Sequence, residues 1–165
     1  MIHVVPAKAA HCRAIARDIR PRDKDELALG WQLDPMEVMA RGLKWSVKAI
    51  TILNGIKPFC ICGIAPMELL TSRYMFWIVP TMEIDRHPFA FARASRRWLP
   101  YLIKDCDTVT NIVDSEDKSA LKWATWLGCE MRPYADPSLP PGRFLQFFAK
   151  GKGKRCPPVS VSQAV

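Results

Sequence analysis

The chain has 165 residues, of which 49% are hydrophobic and 24% charged, with six Trp and seven Phe. That length holds one domain with a genuine core, and the apolar content can offset the entropy of ordering, so a disordered chain and a pair of full-sized domains are both excluded. The 24 Lys and Arg against 16 Asp and Glu leave a formal net charge of +8, a sign that suits an anionic partner such as nucleic acid, phosphate or a membrane surface.

No stretch approaches the about 18 to 20 consecutive apolar residues that span a bilayer, and Met1-Ile2-His3-Val4 lacks the basic-then-apolar order of a signal peptide. A cytoplasmic protein without membrane association is expected. Cys12, Cys60, Cys62, Cys106, Cys129 and Cys156 are scattered and mostly lie in apolar stretches, as reduced cysteines do. The nearest approach to a metal-ligand pairing is Cys60-Ile61-Cys62, whose spacing is the period of one strand face, so no metal site is expected.

A first strand is predicted at Ile2 to Val5, followed by a helix over Ala7 to Ile19 that Pro21 ends. Asp23 starts a second helical stretch, Lys24 to Leu29, closed by Gly30; Asp34-Pro35 supplies an N-cap and first-turn proline for a third, Pro35 to Trp45. Val47 to Leu53 and Ile56 to Ala65 read as strands joined by Asn54-Gly55, a strong hairpin signal that fixes their register. After a loop with Pro66 and Ser72, Tyr74 to Val79 is an aromatic-rich strand covered on both faces, and Pro80 at its end should part it from a neighbour. A long helix opens at His87-Pro88 and runs to Lys104. Asp107 to Val113 is the next strand, Asp114 caps a helix from Ser115 to Leu127, and Gly128 stops it. Cys129 to Tyr134 and Phe144 to Ala149 close the sheet around the loop Pro137 to Pro141. Residues 1–150 form the domain, and residues 151–165, small, polar and basic, form a flexible tail. The order defines an α/β domain with a mixed, mostly antiparallel sheet flanked by helices.

Asn111-Ile112-Val113-Asp114, Ser119-Ala120-Leu121-Lys122-Trp123 and Leu127-Gly128-Cys129, with Trp77-Ile78, Thr81 and Arg93-Ala94-Ser95-Arg96, carry a resemblance. With the topology over Ile2 to Lys150, the chain resembles the GCN5-related N-acetyltransferases (GNAT). More narrowly, it is similar to GNAT-like proteins of podovirus-type tailed phages, the internal virion protein A group. The resemblance implies that the fourth and fifth strands splay, that the arm of acetyl-CoA lies along Pro80-Thr81-Met82, and that the pyrophosphate sits on the helix starting near His87, where free N–H groups and the helix dipole favour an anion. It implies cofactor contacts at His87, Ala90, Ala92, Arg93, Arg96, Asn111 and Asp117, and a base at Glu83 or Asp85 that deprotonates the acceptor amine through water.

Several residues depart from the family pattern. His87 stands for Gln or Arg and Ala90 for the first Gly of the phosphate loop; Asp117 stands for Asn, and Ala124 for the Tyr that protonates the leaving thiolate. Arg86, Arg93, Arg96 and Arg97 can supply phosphate-binding charge instead. The acceptor implied is a small amine or an amine on a host or viral protein; the alternative is a non-catalytic factor acting in virion assembly or by binding a host protein.

Residues 86–104 carry five basic residues and no acids, and four more lie between Lys150 and Arg155. The charge is thus two local deposits, and a polyanion-binding coat that would mark a nucleic-acid binder is not expected. Arg93, Arg96 and Arg97 share a helix face that reads either as solvated or as a contact for phosphate or, more weakly, nucleic acid. Trp123 and Trp126 read as core. Trp31 and Trp45 flank the helical insert, either as lining of an acceptor pocket or as buried residues.

Overall fold

The computed structural model describes residues 1–67 and 73–152. The elements are β1 (Ile2–Pro6), α1 (Ala9–Asp18), α2 (Pro21–Trp31), α3 (Pro35–Trp45), β2 (Lys48–Asn54), β3 (Lys57–Pro66), β4 (Arg73–Pro80), α4 (Glu83–Arg86), α5 (Pro88–Ile103), β5 (Thr108–Asp114), α6 (Lys118–Trp126), β6 (Glu130–Tyr134) and β7 (Phe144–Lys150). Among the described residues seven strands form one sheet in the order β1-β2-β3-β4-β5-β7-β6. Every pairing is antiparallel except that of β4 with β5.

Alternation along β3 and β4 builds two cores. Cys60, Cys62, Ile64, Tyr74 and Phe76 pack with Phe91, Trp98, Leu99 and Leu102 of α5. The intervening Ile61, Trp77 and Val79 pack with Cys12, Ile15, Leu27 and Met39 of the first three helices. A strand covered on both faces must be apolar at nearly every position, which is why β3 reads as an unbroken buried run. Asp34 caps α3 by accepting from the N–H groups of Met36 and Glu37, and Gly55 takes the positive φ of 62° that the hairpin requires. The register of that hairpin shifts by one residue between Ile52 and Leu53.

Gly42 on α3 lies against the Trp77 indole, where a Cβ would come within 2.5 Å of Cε2 and Cζ2. Trp77 cannot move freely, because its Nε1 donates to Ser46 Oγ at 2.7 Å. Gly42→Ala is therefore expected to cost about 1–3 kcal/mol in urea denaturation, although alanine favours a helix at an open position.

Four expectations are corrected. Pro21 does not merely end α1: it occupies the first turn of α2, where its missing N–H has no helical partner to lose. Gly30 lies inside α2 and does not close it; the helix ends on Gln32 at φ 54°. Glycine sits at 30 because a Cβ there would press within 3.3 Å of the Phe144 ring. The cap of α6 is Asp117, which accepts from the N–H groups of Ser119 and Ala120, and not Asp114. Finally, the β4–β5 ladder has only the rungs Arg73–Thr108, Tyr74–Val109 and Met75–Thr110. The strands therefore part after Met75, well before Pro80, which remains paired with Cys60 of β3.

Of the cysteines, Cys12, Cys60, Cys62, Cys106 and Cys129 are free thiols; Cys156 and most of the predicted tail, residues 153–165, lie outside the described residues, as does Ser72. Among the described residues no helix is long and apolar enough to cross a membrane.

Candidate active site

From Phe76 and Asn111 onward β4 and β5 share no rung, and the gap opens into a slot of about 630 Å³. Ile78 and Pro80 of β4 form one wall, and Asn111, Ile112 and Val113 of β5 the other. The start of α5 contributes Pro88, Phe89, Phe91, Ala92 and Arg93, while α6 contributes Ser119, Lys122, Trp123 and Trp126. Arg20, Asp23, Glu26 and Trp31 reach the slot from the opposite face of the sheet.

These walls suit an elongated ligand with an anionic end. The interior is mainly apolar, and the cationic side chains Arg93 and Lys122 stand on its α5 and α6 sides. Helix α5 begins at Pro88, which has no N–H, and Phe91 N already donates to His87 O at 3.1 Å. The first turn therefore offers the N–H groups of Phe89 and Ala90 to an acceptor outside the helix.

The residues expected at the site are dispersed. Pro80, Ala92, Arg93, Asn111, Asp117 and Asp85 line the slot, while Thr81, Met82, Glu83, His87, Ala90 and Arg96 do not. Thr81 is fully buried and donates its hydroxyl to Pro58 O at 2.6 Å. Met82 N donates to Asp18 O at 2.8 Å. Ala90 lines a second groove, beside β1. Asn111 turns its Oδ1 onto the N–H of Ile112 at 2.8 Å. The three arginines of α5 diverge: Arg93 faces both grooves, Arg97 faces only the second, and Arg96 lies 3.8 Å from the centroid of the Trp126 ring.

Glu83 and Asp85 have different surroundings. Glu83 is 3% exposed and accepts from Asn54 Nδ2 at 3.1 Å and Arg86 at 3.3 Å, with His87 Nε2 at 3.4 Å. Burial works to raise its carboxyl, but the bonds from Asn54 and Arg86 outweigh it and hold the group below its ordinary value. Asp85 lies in the slot and pairs with Arg20 at 3.1 Å. Trp31 lines the slot and Trp45 does not. Trp123 donates to Ser95 Oγ and stacks on Trp98, whereas Trp126 is 41% exposed. Ala124 is buried in the slot wall.

A cluster that sequence reasoning missed sits at the start of α2. Arg20 is 6% exposed and binds Asp23 through both Nε and NH2, Asp85 through NH1, and approaches Asp117 at 3.7 Å. Burial would lower the Arg20 pKa, but its carboxylate partners raise it, so the guanidinium is permanently charged. Asp23 is held above its usual value by burial, against the opposing pull of Arg20. Glu26 is pushed up to about 7, first by burial and then by the negative charges of Asp23, Asp117 and Asp114; the Asp114 N–H that it accepts at 3.2 Å offsets only part of this. One signal could have found the cluster: Asp23 and Glu26 fall on the helical stripe that continues through Leu27 and Gly30, the buried side of α2.

A mixed sheet whose parallel pair opens into a slot between helices is the fold of the GCN5-related N-acetyltransferases, and this chain has that fold. Among solved structures it is similar to the spermidine N-acetyltransferase of Vibrio cholerae, determined with CoA and spermine, at 12% identity and a TM-score of 0.64 over 90% of this chain and 95% of that one. The ribosomal-protein-S5-alanine acetyltransferase of Vibrio fischeri matches at 12% identity and a TM-score of 0.60, over 94% and 96%. The ribosomal-protein-S18-alanine N-acetyltransferase of Escherichia coli matches at 12% and 0.55, over 90% and 91%. At these identities the likeness is one of fold. No protein-family model and no curated protein matches the sequence.

Proposed function

We propose that the protein is an acetyl-CoA-dependent N-acetyltransferase in which Glu26 is the general base. The observation that carries this reading is the slot between β4 and β5 with a carboxyl group titrating near 7 in its wall, since a base whose pKa lies near the working pH combines availability with strength. Acetyl-CoA would supply an activated acyl group as a thioester. The apolar walls would hold its arm, while Arg93, Lys122 and the first N–H groups of α5 would face its phosphates. Glu26 takes a proton from the acceptor nitrogen as that nitrogen bonds to the acyl carbon, and the carbon–sulfur bond breaks. With Ala124 in the wall there is no phenol to protonate the departing sulfur, and water takes that role. Asp85 and Asp23 stay on Arg20, which keeps the cluster from repelling itself apart.

Calorimetry with acetyl-CoA tests this. Binding in the micromolar range, weakened at least tenfold in Arg93→Glu, is expected, together with thiol release on adding an amine. No binding at millimolar ligand would end the enzyme reading.

The Ala at 124 also favours a second reading, a non-catalytic GNAT-like factor that binds a host or viral protein, as in the virion proteins that the sequence resembles. Acetyl-CoA binding without thiol release for any amine is the outcome specific to it.

A further inference from the structure

The sheet ends on β1 and β6, and the two edges differ. Along β6, Glu130, Arg132 and Pro133 blunt the edge, as charges and a residue without an N–H do. Strand β1 reads Ile2-His3-Val4-Val5-Pro6, with no lysine, arginine or carboxylate and its proline at the end. On β2 it pairs His3 with Leu53 and Val5 with Thr51, and the bonds from Gly55 N to Met1 O and from Ala7 N to Ala49 O place the odd-numbered residues on the β2 side. The N–H and C=O groups of Ile2 and Val4, and the C=O of Pro6, therefore face away from β2, and among the described residues no further strand meets them.

Between that edge and α5 lies the second groove, of about 670 Å³. Ile2 and Val4 line one side of it, and Ala94, Trp98 and Tyr101 the other. Arg93 and Arg97 are its charged lining residues; both are exposed, and neither has an ion pair or hydrogen bond among the described residues. Lys48 and Lys104 stand 4.4 and 5.7 Å from the centroid of the Tyr101 ring, with Asp105 3.9 Å from Lys48. Trp98 lines this groove and not the slot; it is 3% exposed, and its Nε1–H has no acceptor among the described residues. The groove is thus rich in donors and cations and short of acceptors, which suits an anionic ligand.

We propose that this groove docks an extended, acidic segment of another protein, which adds to β1 as a further strand and sets two carboxylates, two residues apart, on Arg93 and Arg97. The spacing agrees. Residues four apart on a helix are separated by about 6 Å along its axis, and alternate residues of a strand, which share a face, by about 6.6–6.8 Å. Main-chain bonds to Ile2, Val4 and Pro6 supply affinity, and the arginines select the sequence. A second copy of this chain is a poorer occupant: pairing β1 with its own copy puts both α5 helices on one face of the joined sheet, with their arginines opposed. A single-stranded nucleic acid has the charge but no repeat of N–H and C=O groups to match the edge.

The test is fluorescence anisotropy with the full chain, at constant ionic strength, and a labelled peptide Thr-Glu-Val-Glu-Thr-Val blocked at both ends. This peptide is expected to bind at least tenfold more tightly than its counterpart with lysine in place of glutamate. It should bind at least fivefold more tightly than Thr-Val-Glu-Glu-Thr-Val, which has the same composition and charge but adjacent carboxylates. Arg97→Glu, an exposed change, should weaken binding at least tenfold. Val4→Pro, which removes an N–H that β2 does not use, should do the same. Equal affinity for either control peptide, unchanged affinity in folded Arg97→Glu or Val4→Pro, or tighter binding of a hexathymidylate overturns the proposal. So does a dimer in sedimentation equilibrium that Val4→Pro breaks, which would give the edge to a second copy.

Discussion

Glu26→Gln is expected to raise the melting temperature at pH 8 by about 5–10 °C while lowering kcat/KM at least a hundredfold. The stability arises from linkage. Glu26 titrates at about 7 in the folded chain, above its ordinary 4.5, so the folded state holds this proton more tightly than the unfolded state. Its contribution is fully present below about pH 4.5 and is lost as the pH rises through 7, by up to about 3 kcal/mol, because the folded chain must then ionise a carboxyl among Asp23, Asp114 and Asp117. Glutamine avoids that ionisation. Arg20, Arg22 and Arg143 face the same cluster and stay charged throughout, so they do not change the sign. Thermal melts of both proteins from pH 5 to pH 8 should show a gap that widens with pH. In activity, the wild-type profile should rise through about pH 7 and the variant should lack that limb. A gap independent of pH would mean that Glu26 does not titrate in this range.

Arg20→Met is expected to be the most damaging single change near the slot, at about 3–5 kcal/mol in urea denaturation at pH 8. Methionine can fill the space of the aliphatic stem, so the loss is electrostatic: Asp23 and Asp117, both buried, would face each other and Asp85 without their shared cation. Without Arg20 nothing opposes the burial that already raises Asp23, so its pKa rises further. The deficit should therefore narrow as the pH falls and Asp23 becomes neutral. A loss under about 1 kcal/mol, equal at pH 8 and pH 5, would show that the ion cluster adds nothing beyond packing.

Local chemistry carried much of the fold. Asn54-Gly55, Asp34-Pro35 and the apolar period of β3 and β4 each act over a few residues, and each placed its element within about one residue of the observed bounds. Where two local signals competed, contacts from elsewhere decided. Gly30 looked like a helix stop, but Phe144 of β7 needs the space above it. Asp114 looked like a cap, yet its carboxylate is drawn to Arg143 at 2.7 Å, and Asp117 caps α6 in its place. Pro80 looked like the point of divergence, but the β4–β5 ladder ends earlier, in a stretch with no marker residue.

The charge followed the same division. The sequence located the basic residues between 86 and 104 but could not show that Arg96 turns onto an indole ring while Arg93 and Arg97 share the second groove and only Arg93 also reaches the slot. It showed Asp23 and Glu26 only as part of a charged helix start. They meet Asp117, 91 or more residues downstream, only in the wall of the slot. By itself, the sequence determined the order of elements, which of them are buried on both faces, and the caps that no distant group contests, because those depend on hydrogen bonds and periodicities a few residues long. The tertiary structure alone decided where β4 leaves β5 and which carboxylates share one desolvated site. Convergence and desolvation are properties of elements packed together, and a carboxyl group acquires a pKa near 7 only after its neighbours and its water have been fixed.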